Sequence, residues 1–158
     1  MGFEATVKLR IKRELVAPPK DTEKAAVSGE GFFGTETQTL EAGSEASVKV
    51  RNGIVTVSWE EPDGKDTSVS FDRNDPGLIT VSKGLKDAGG VIMVFEKGVR
   101  HLTVSTIDGE SIDLITGCTE MNNNIMKTGV LYMKYFVEIH GFRCETTEFR
   151  MTVRKRKA

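Results

Sequence analysis

Residues 91–116, VIMVFEKGVRHLTVSTIDGESIDLIT, constrain the fold more than any other stretch of the chain. Apolar side chains recur at every second position, which is the period of a half-buried β-strand. Glu96-Lys97-Gly98 and Asp108-Gly109 interrupt that period where a tight turn needs φ > 0. The tract predicts three short strands folded back on one another. The same alternation runs through most of the remaining sequence, and a helical period is almost absent.

The first strand is expected from Phe3 to Leu15. Phe3, Ala5, Val7, Leu9 and Ile11 lie on one face, and Glu4, Thr6, Lys8, Arg10 and Lys12 on the other. Pro18-Pro19 ends it. A second strand is expected over Lys24–Thr35, bent or bulged at Gly29, Gly31 and Gly34. Residues 35–46 are polar and low in core formers, and read as an extended loop or an extra hairpin. Asn52-Gly53, between Val48–Arg51 and Ile54–Glu60, is the strongest short-range hairpin signal. Further strands follow over Asp66–Asp72 and Leu78–Lys83. Gly117–Gly129 reads as a polar connection, with three consecutive Asn residues opposing a helix there. Val130–His140 and Arg143–Arg154 complete the pattern. Roughly ten strands with hairpin-like connections favour an all-β, up-and-down antiparallel barrel in one domain spanning residues 1–158. Arg154-Lys155-Arg156-Lys157 reads as a solvated basic tail.

Composition excludes several classes. Basic and acidic residues number 22 and 23, so no net field draws nucleic acid or an acidic membrane. No apolar run approaches the roughly 20 residues a helix needs to cross a bilayer. The N-terminal residues lack the regions of a signal peptide, so a cytoplasmic location is expected. Cys118 and Cys144, without a CxxC, are expected as free thiols.

Several stretches occur in an order that resembles the YwiB-like family. They are Gly29-Glu30-Gly31-Phe32-Phe33, Val57-Ser58-Trp59-Glu60-Glu61, Leu78-Ile79-Thr80 leading to Lys83-Gly84, and Met93 to His101 (MVFEKGVRH). Thr106 before Asp108-Gly109 and the run Val130–Val153 complete the set. That family comprises small bacterial proteins of uncharacterised function. The resemblance implies a lipocalin-like (calycin) β-barrel and no catalytic residues. Two departures stand out: residues 35–48 look like an insertion, and Lys83 stands where members usually carry Arg.

In a small barrel one alternating set of side chains points inward and either fills the core or lines one small ligand site. By parity that set includes Leu9, Val57, Trp59, Val69, Phe71, Ile79, Val81, Leu102, Val104, Met133 and Tyr135. Lys83 shares parity with Ile79 and Val81, Arg100 with Leu102 and Val104, and Glu61 with Trp59. Buried cations need a carboxylate or a bound anion. Trp59, Glu61, Phe71, Lys83, Arg100 and Tyr135 are therefore the candidate ligand-binding residues. The same cations read equally well as solvent-facing groups at strand ends.

His101 and His140 fall on the outward parity, and no HxH, HExxH or CxxC spacing marks a metal site, so neither metal nor cofactor is expected. An outward stripe of Tyr132, Phe136 and His140 with Lys134 suits a protein contact such as a homodimer better than nucleic acid, and no membrane contact is expected. Three functional readings stand open. The first is non-enzymatic binding of a small, partly apolar or amphipathic ligand, anionic if the cations face inward. The second is an interaction or structural module with a filled barrel. The third is an enzyme using Glu61, Arg100 or His101 as acid–base groups.

Overall fold

The structure, a computed structural model, describes residues 2–16, 35–84, 90–107, 110–139 and 142–156. They form ten strands: β1 (Gly2–Val16), β2 (Thr35–Arg51), β3 (Ile54–Glu60), β4 (Asp66–Asp72) and β5 (Asp75–Lys83), then β6 (Val91–Glu96), β7 (Arg100–Ile107), β8 (Glu110–Asn124), β9 (Val130–Ile139) and β10 (Phe142–Lys155). Their order in the sheet is β6-β5-β4-β3-β2-β1-β10-β9-β8-β7, and each neighbouring pair is antiparallel. The sheet curls into a nearly closed barrel whose two free edges, β6 and β7, meet at a seam. No helix occurs among the described residues, so none is long and apolar enough to cross a membrane.

Two turns follow directly from local chemistry. Asn52 (φ 53°) and Gly53 (φ 80°) adopt the paired left-handed conformation of a two-residue hairpin turn. Gly98 (φ 78°) makes the tight link between β6 and β7. The first strand divides its faces as its alternation requires. Ala5, Val7 and Leu9 are buried, with Val48, Val57, Val69, Ile79, Phe95, Leu131, Met133 and Met151 packed in the same core.

Three expectations are corrected. Residues 35–48, read as an inserted loop or hairpin, belong to one continuous strand, β2, paired with β1 from Thr35↔Val16 to Lys49↔Gly2. Backbone pairing to β1 compensates for the weak apolar content of that strand, whose period runs through Leu40, Ala42, Ala46, Val48 and Val50 and is broken by Ser44. Gly117–Asn124, read as a polar connection, extends β8 and pairs with β9, and the Asn run lies in register with Tyr132, Leu131 and Val130. The basic tail begins later than expected, since Arg154 and Lys155 close β10. The strand expected over Lys24–Gly34, the Asp108-Gly109 turn, His140 and the Gly141 turn lie outside the described residues.

The fourth correction concerns β7. Leu102 and Val104 were expected inside, yet they are 63% and 64% exposed, while Ser105 is buried. The seam explains the reversal. Between β6 and β7 the ladder is reduced to a single bridge, Glu96↔Val99, so carbonyls of β6 lack backbone donors. Side chains replace them: Thr103 Oγ1 donates to the Ile92 carbonyl (2.8 Å), and the Thr116 hydroxyl donates to the Val94 carbonyl. Asn123 adds a bond to the Pro76 carbonyl at 3.0 Å. Thr103 is the β7 side chain that closes the seam, and with it turned to that face Leu102 and Val104 are left outside.

Gly129 gives a test of the barrel wall. It takes φ +81°, and a Cβ there would lie 2.3 Å from the Val153 carbonyl oxygen. Backbone cannot yield as a side chain can. Gly129→Ala should therefore cost on the order of 1–3 kcal/mol in urea unfolding. An unchanged midpoint would show that the β9 entry turn is not held as described.

Candidate functional site

The alternation that buries Leu9 and leaves Ile11 half-buried continues one step to Arg13, carrying a guanidinium to the inner face of β1. Register then assembles its surroundings. Arg13 lies opposite Thr147 of β10, and Thr147 lies opposite Tyr135 of β9. On the far wall, Thr67 of β4 lies opposite both Trp59 of β3 and Lys83 of β5. These two cross-strand rows face each other at one end of the barrel.

Between them sits a small void of about 30 Å³, lined by Arg13, Trp59, Glu61, Thr67, Lys83, Tyr135 and apolar neighbours including Met133 and Phe149. That volume holds about one water molecule. Between these two rows the described side chains fill the barrel interior. A larger open cleft of about 430 Å³ lies beside it, lined by the charged Arg13, Lys65, Lys83, Glu61 and Asp63, by Thr67, and by apolar Leu9, Ile11, Leu40, Ala42 and Pro62. The cleft exists because β2 projects beyond β3: only Ala46–Arg51 of β2 pair with β3, whereas its earlier half pairs with β1 alone. Leu40 on that projecting half is 48% exposed.

The polar groups at this end are unequally satisfied. Glu61 Oε1 accepts from Trp59 Nε1 (3.1 Å) and from Thr67 Oγ1 (3.2 Å). Glu145 Oε2 accepts from Thr147 Oγ1 at 3.0 Å. Burial, with the Glu145 charge adding to it, pushes the Tyr135 phenol well above its ordinary range, against the opposing pull of Arg13 and Thr147. Arg13 itself makes no ion pair with a carboxylate of the described residues, and its Nε is buried without a hydrogen-bond partner. Lys83 is solvent-exposed at the rim and likewise makes no ion pair among the described residues.

Of the sequence-derived candidates, Trp59, Glu61, Lys83 and Tyr135 come together here. Phe71 does not: it is buried between Val55 and Ile79 and lines neither cavity. Arg100 is on the outer surface, a consequence of the reversed β7. Its Nη2 lies 2.5 Å from Glu138 Oε2, and Glu138 also approaches Arg143 at 3.8 Å. His101 is half-buried rather than outward, with Nε2 3.1 Å from Glu96 Oε1. Among the described residues no group of three or more His, Cys, Asp or Glu side chains converges. Cys118 and Cys144 are free, and burial raises both thiols above their ordinary value, the opposite of a reactive thiolate.

Residues absent from the sequence-derived set complete the site: Arg13, Thr67, Thr147 and Glu145. The signal for Arg13 was its parity with Ile11, and for Thr147 its parity with Phe149 and Met151. Glu145 was harder to place, because the irregularity between Arg143 and Glu145 resets the alternation.

His140 of the outward stripe lies outside the described residues, and Tyr132 and Phe136 are half-buried against their own chain. Phe136 points the tip of its ring at Gly117, where a Cβ would meet it at 2.1 Å, and Arg143 stacks on the ring face at 3.9 Å. Tyr132 donates to Glu148 (3.0 Å) beneath Arg150.

No protein-family model matches the chain, and no curated protein matches it. Among solved structures, the chain is similar to the crystal structure of the ywiB protein from Bacillus subtilis. The two share 12% sequence identity with a TM-score of 0.57, over 94% of this chain and 92% of that one. At that identity the likeness is one of fold.

The two tyrosines of the chain give a pH test. Burial, reinforced by the Glu148 carboxylate, pushes Tyr132 up from 10.0 to about 12, and Tyr135 is raised as well. Unfolding frees both phenols to ionise near their ordinary value. Stability should thus be fully retained below pH 10 and fall as pH rises from about 10 to about 12. Ultraviolet difference titration should show little tyrosinate at pH 10 in the folded protein, and Glu148→Gln should move Tyr132 part of the way back. Half-ionisation at pH 10 with native circular dichroism would contradict the site as described.

Proposed function

We propose that this protein is a binding protein for a small amphipathic anion held at the open end of the barrel. The observation that carries this reading is Arg13. A guanidinium with a buried, unpartnered Nε and no ion pair among the described residues sits in a wall of apolar side chains. The half-buried guanidinium is thus left without a partner on its buried side, and an anion in the cleft would supply one. Lys65 and Lys83 add two further positive charges to the same cleft, against the carboxylates of Glu61 and Asp63. The volume of about 430 Å³ falls within the range of small-molecule sites. Leu9, Ile11, Leu40 and Ala42 supply apolar surface for a tail. The small inner void argues that the ligand lies along the mouth and not deep within the barrel.

Acid–base turnover is the weaker reading. Glu61 Oε1 is committed to Trp59 and Thr67, and neither Arg100 nor His101 lines the cavities that Glu61 lines. A calycin-like assignment and a cytoplasmic location belong to the same proposal, supported by the ten-stranded antiparallel barrel and by two free thiols.

Calorimetric titration with octanoate tests the reading, using octanol as the uncharged comparison. The full chain should bind octanoate and not octanol. Arg13→Met should weaken octanoate binding about ten- to hundredfold, the loss expected for a charge-assisted hydrogen bond worth about 1.5–3 kcal/mol. Arg100→Met, on the outer surface, should leave it unchanged. Equal binding by wild type and Arg13→Met, or no binding of octanoate by folded wild type, would overturn the proposal.

A further inference from the structure

The reversal of β7 leaves an apolar patch on the outer wall. Leu102 and Val104 are the most exposed large hydrophobic side chains among the described residues, at 63% and 64%. Ile115 of β8 lies directly opposite Leu102, and Ile92 of β6 (39% exposed) faces outward across the seam. An aliphatic cluster of this kind on a sheet face is a contact surface or an aggregation hazard. Its charges indicate which.

Arg100 lies one inter-residue pair before Leu102 on the outer face, and Asp113 lies opposite Val104, one pair beyond it. The strip therefore reads basic, apolar, acidic along the strand direction, with Arg100 and Asp113 four residues apart in register, about 13 Å at the rise of a strand. Asp113 makes no ion pair among the described residues. Arg100 is 60% exposed even with Glu138 beside it, so its guanidinium retains free donors.

Such a strip is complementary to itself under one operation. A two-fold axis across the strands at the Leu102/Ile115 level turns a second copy end for end. Leu102 then meets the partner's Leu102, and the Arg100 level meets the level of the partner's Asp113. A two-fold axis along the strands would instead set Arg100 on Arg100, which costs energy. The geometry points to a two-fold homodimer formed face to face through β7 and β8, with antiparallel strands, an aliphatic centre and reciprocal Arg100–Asp113 pairs. Isologous contact of one patch with itself is the commonest symmetry of soluble oligomers. The inference is independent of the mouth site, since none of these residues lines the cleft.

Sedimentation equilibrium of the full chain tests it. Wild type should sediment as a dimer at micromolar concentration. Leu102→Glu should convert it to monomer with unchanged circular dichroism. Arg100→Asp should weaken the dimer at least tenfold, and Arg100→Asp combined with Asp113→Arg should restore it, an outcome that loss of folding could not mimic. A wild-type monomer throughout the micromolar range would overturn the inference, even if the patch then captured a different protein. A dimer indifferent to Leu102→Glu, or a charge swap that fails to rescue, would overturn it equally.

Discussion

The register of β1 governs the rest of this molecule. β1 is hydrogen-bonded on both sides, to β2 and to β10, for nearly its whole length. A slip of one residue on either side would move its entire inner set to solvent. Ala5, Val7 and Leu9 lock the parity by burial, and Arg13 follows from that lock. No local preference draws a guanidinium inward. It is carried there by the apolar residues before it on the same face.

That origin explains the contrast along the barrel axis. Just beneath the mouth, side chains such as Phe95 and Tyr135, with ring centroids 4.4 Å apart, fill the space as a close-packed interior does. At the mouth, β3 no longer accompanies β2, apolar side chains lose their cover, and polar groups take over the lining. The carboxylates there are matched by hydroxyl and indole donors, whereas Arg13 is not matched by a carboxylate of the described residues. An excess of positive charge over apolar surface is the chemical complement of an amphipathic anion, and it arises where packing ends.

Period-2 alternation makes most of the fold legible in the sequence, because each β-strand writes its own faces. Val69 with Phe71, and Leu131 with Met133 and Tyr135, are buried as parity required. The failures share a cause. Residues 35–45 of β2 are a strand held by backbone pairing to β1, and backbone pairing leaves no mark on side-chain pattern. In β7 the alternation was visible, but which face turns inward was set by the seam, a contact between residues as distant as Thr116 and Val94. Sequence reports the period of a strand locally. The sign of that period depends on what the strand closes against, and so Arg100 was expected inside while Arg13, at a strand end, went unnoticed.

The seam links these two surfaces. Ladder hydrogen bonds would have joined β6 to β7 without consuming side chains, leaving the β7 aliphatics free to turn inward. With Thr103 and Thr116 serving as donors instead, closure of the barrel places Leu102 and Val104 in water. Removing such area from water is worth roughly 25 cal/mol per Å², so a barrel closed in this way carries a standing drive to cover its outer wall. The opposite arrangement holds at the mouth, where the uncovered group is a charge. The outer wall is drawn to apolar area, and the mouth to a group that carries negative charge as well. Both follow from where backbone pairing runs out: between β2 and β3 at the mouth, and between β6 and β7 at the seam.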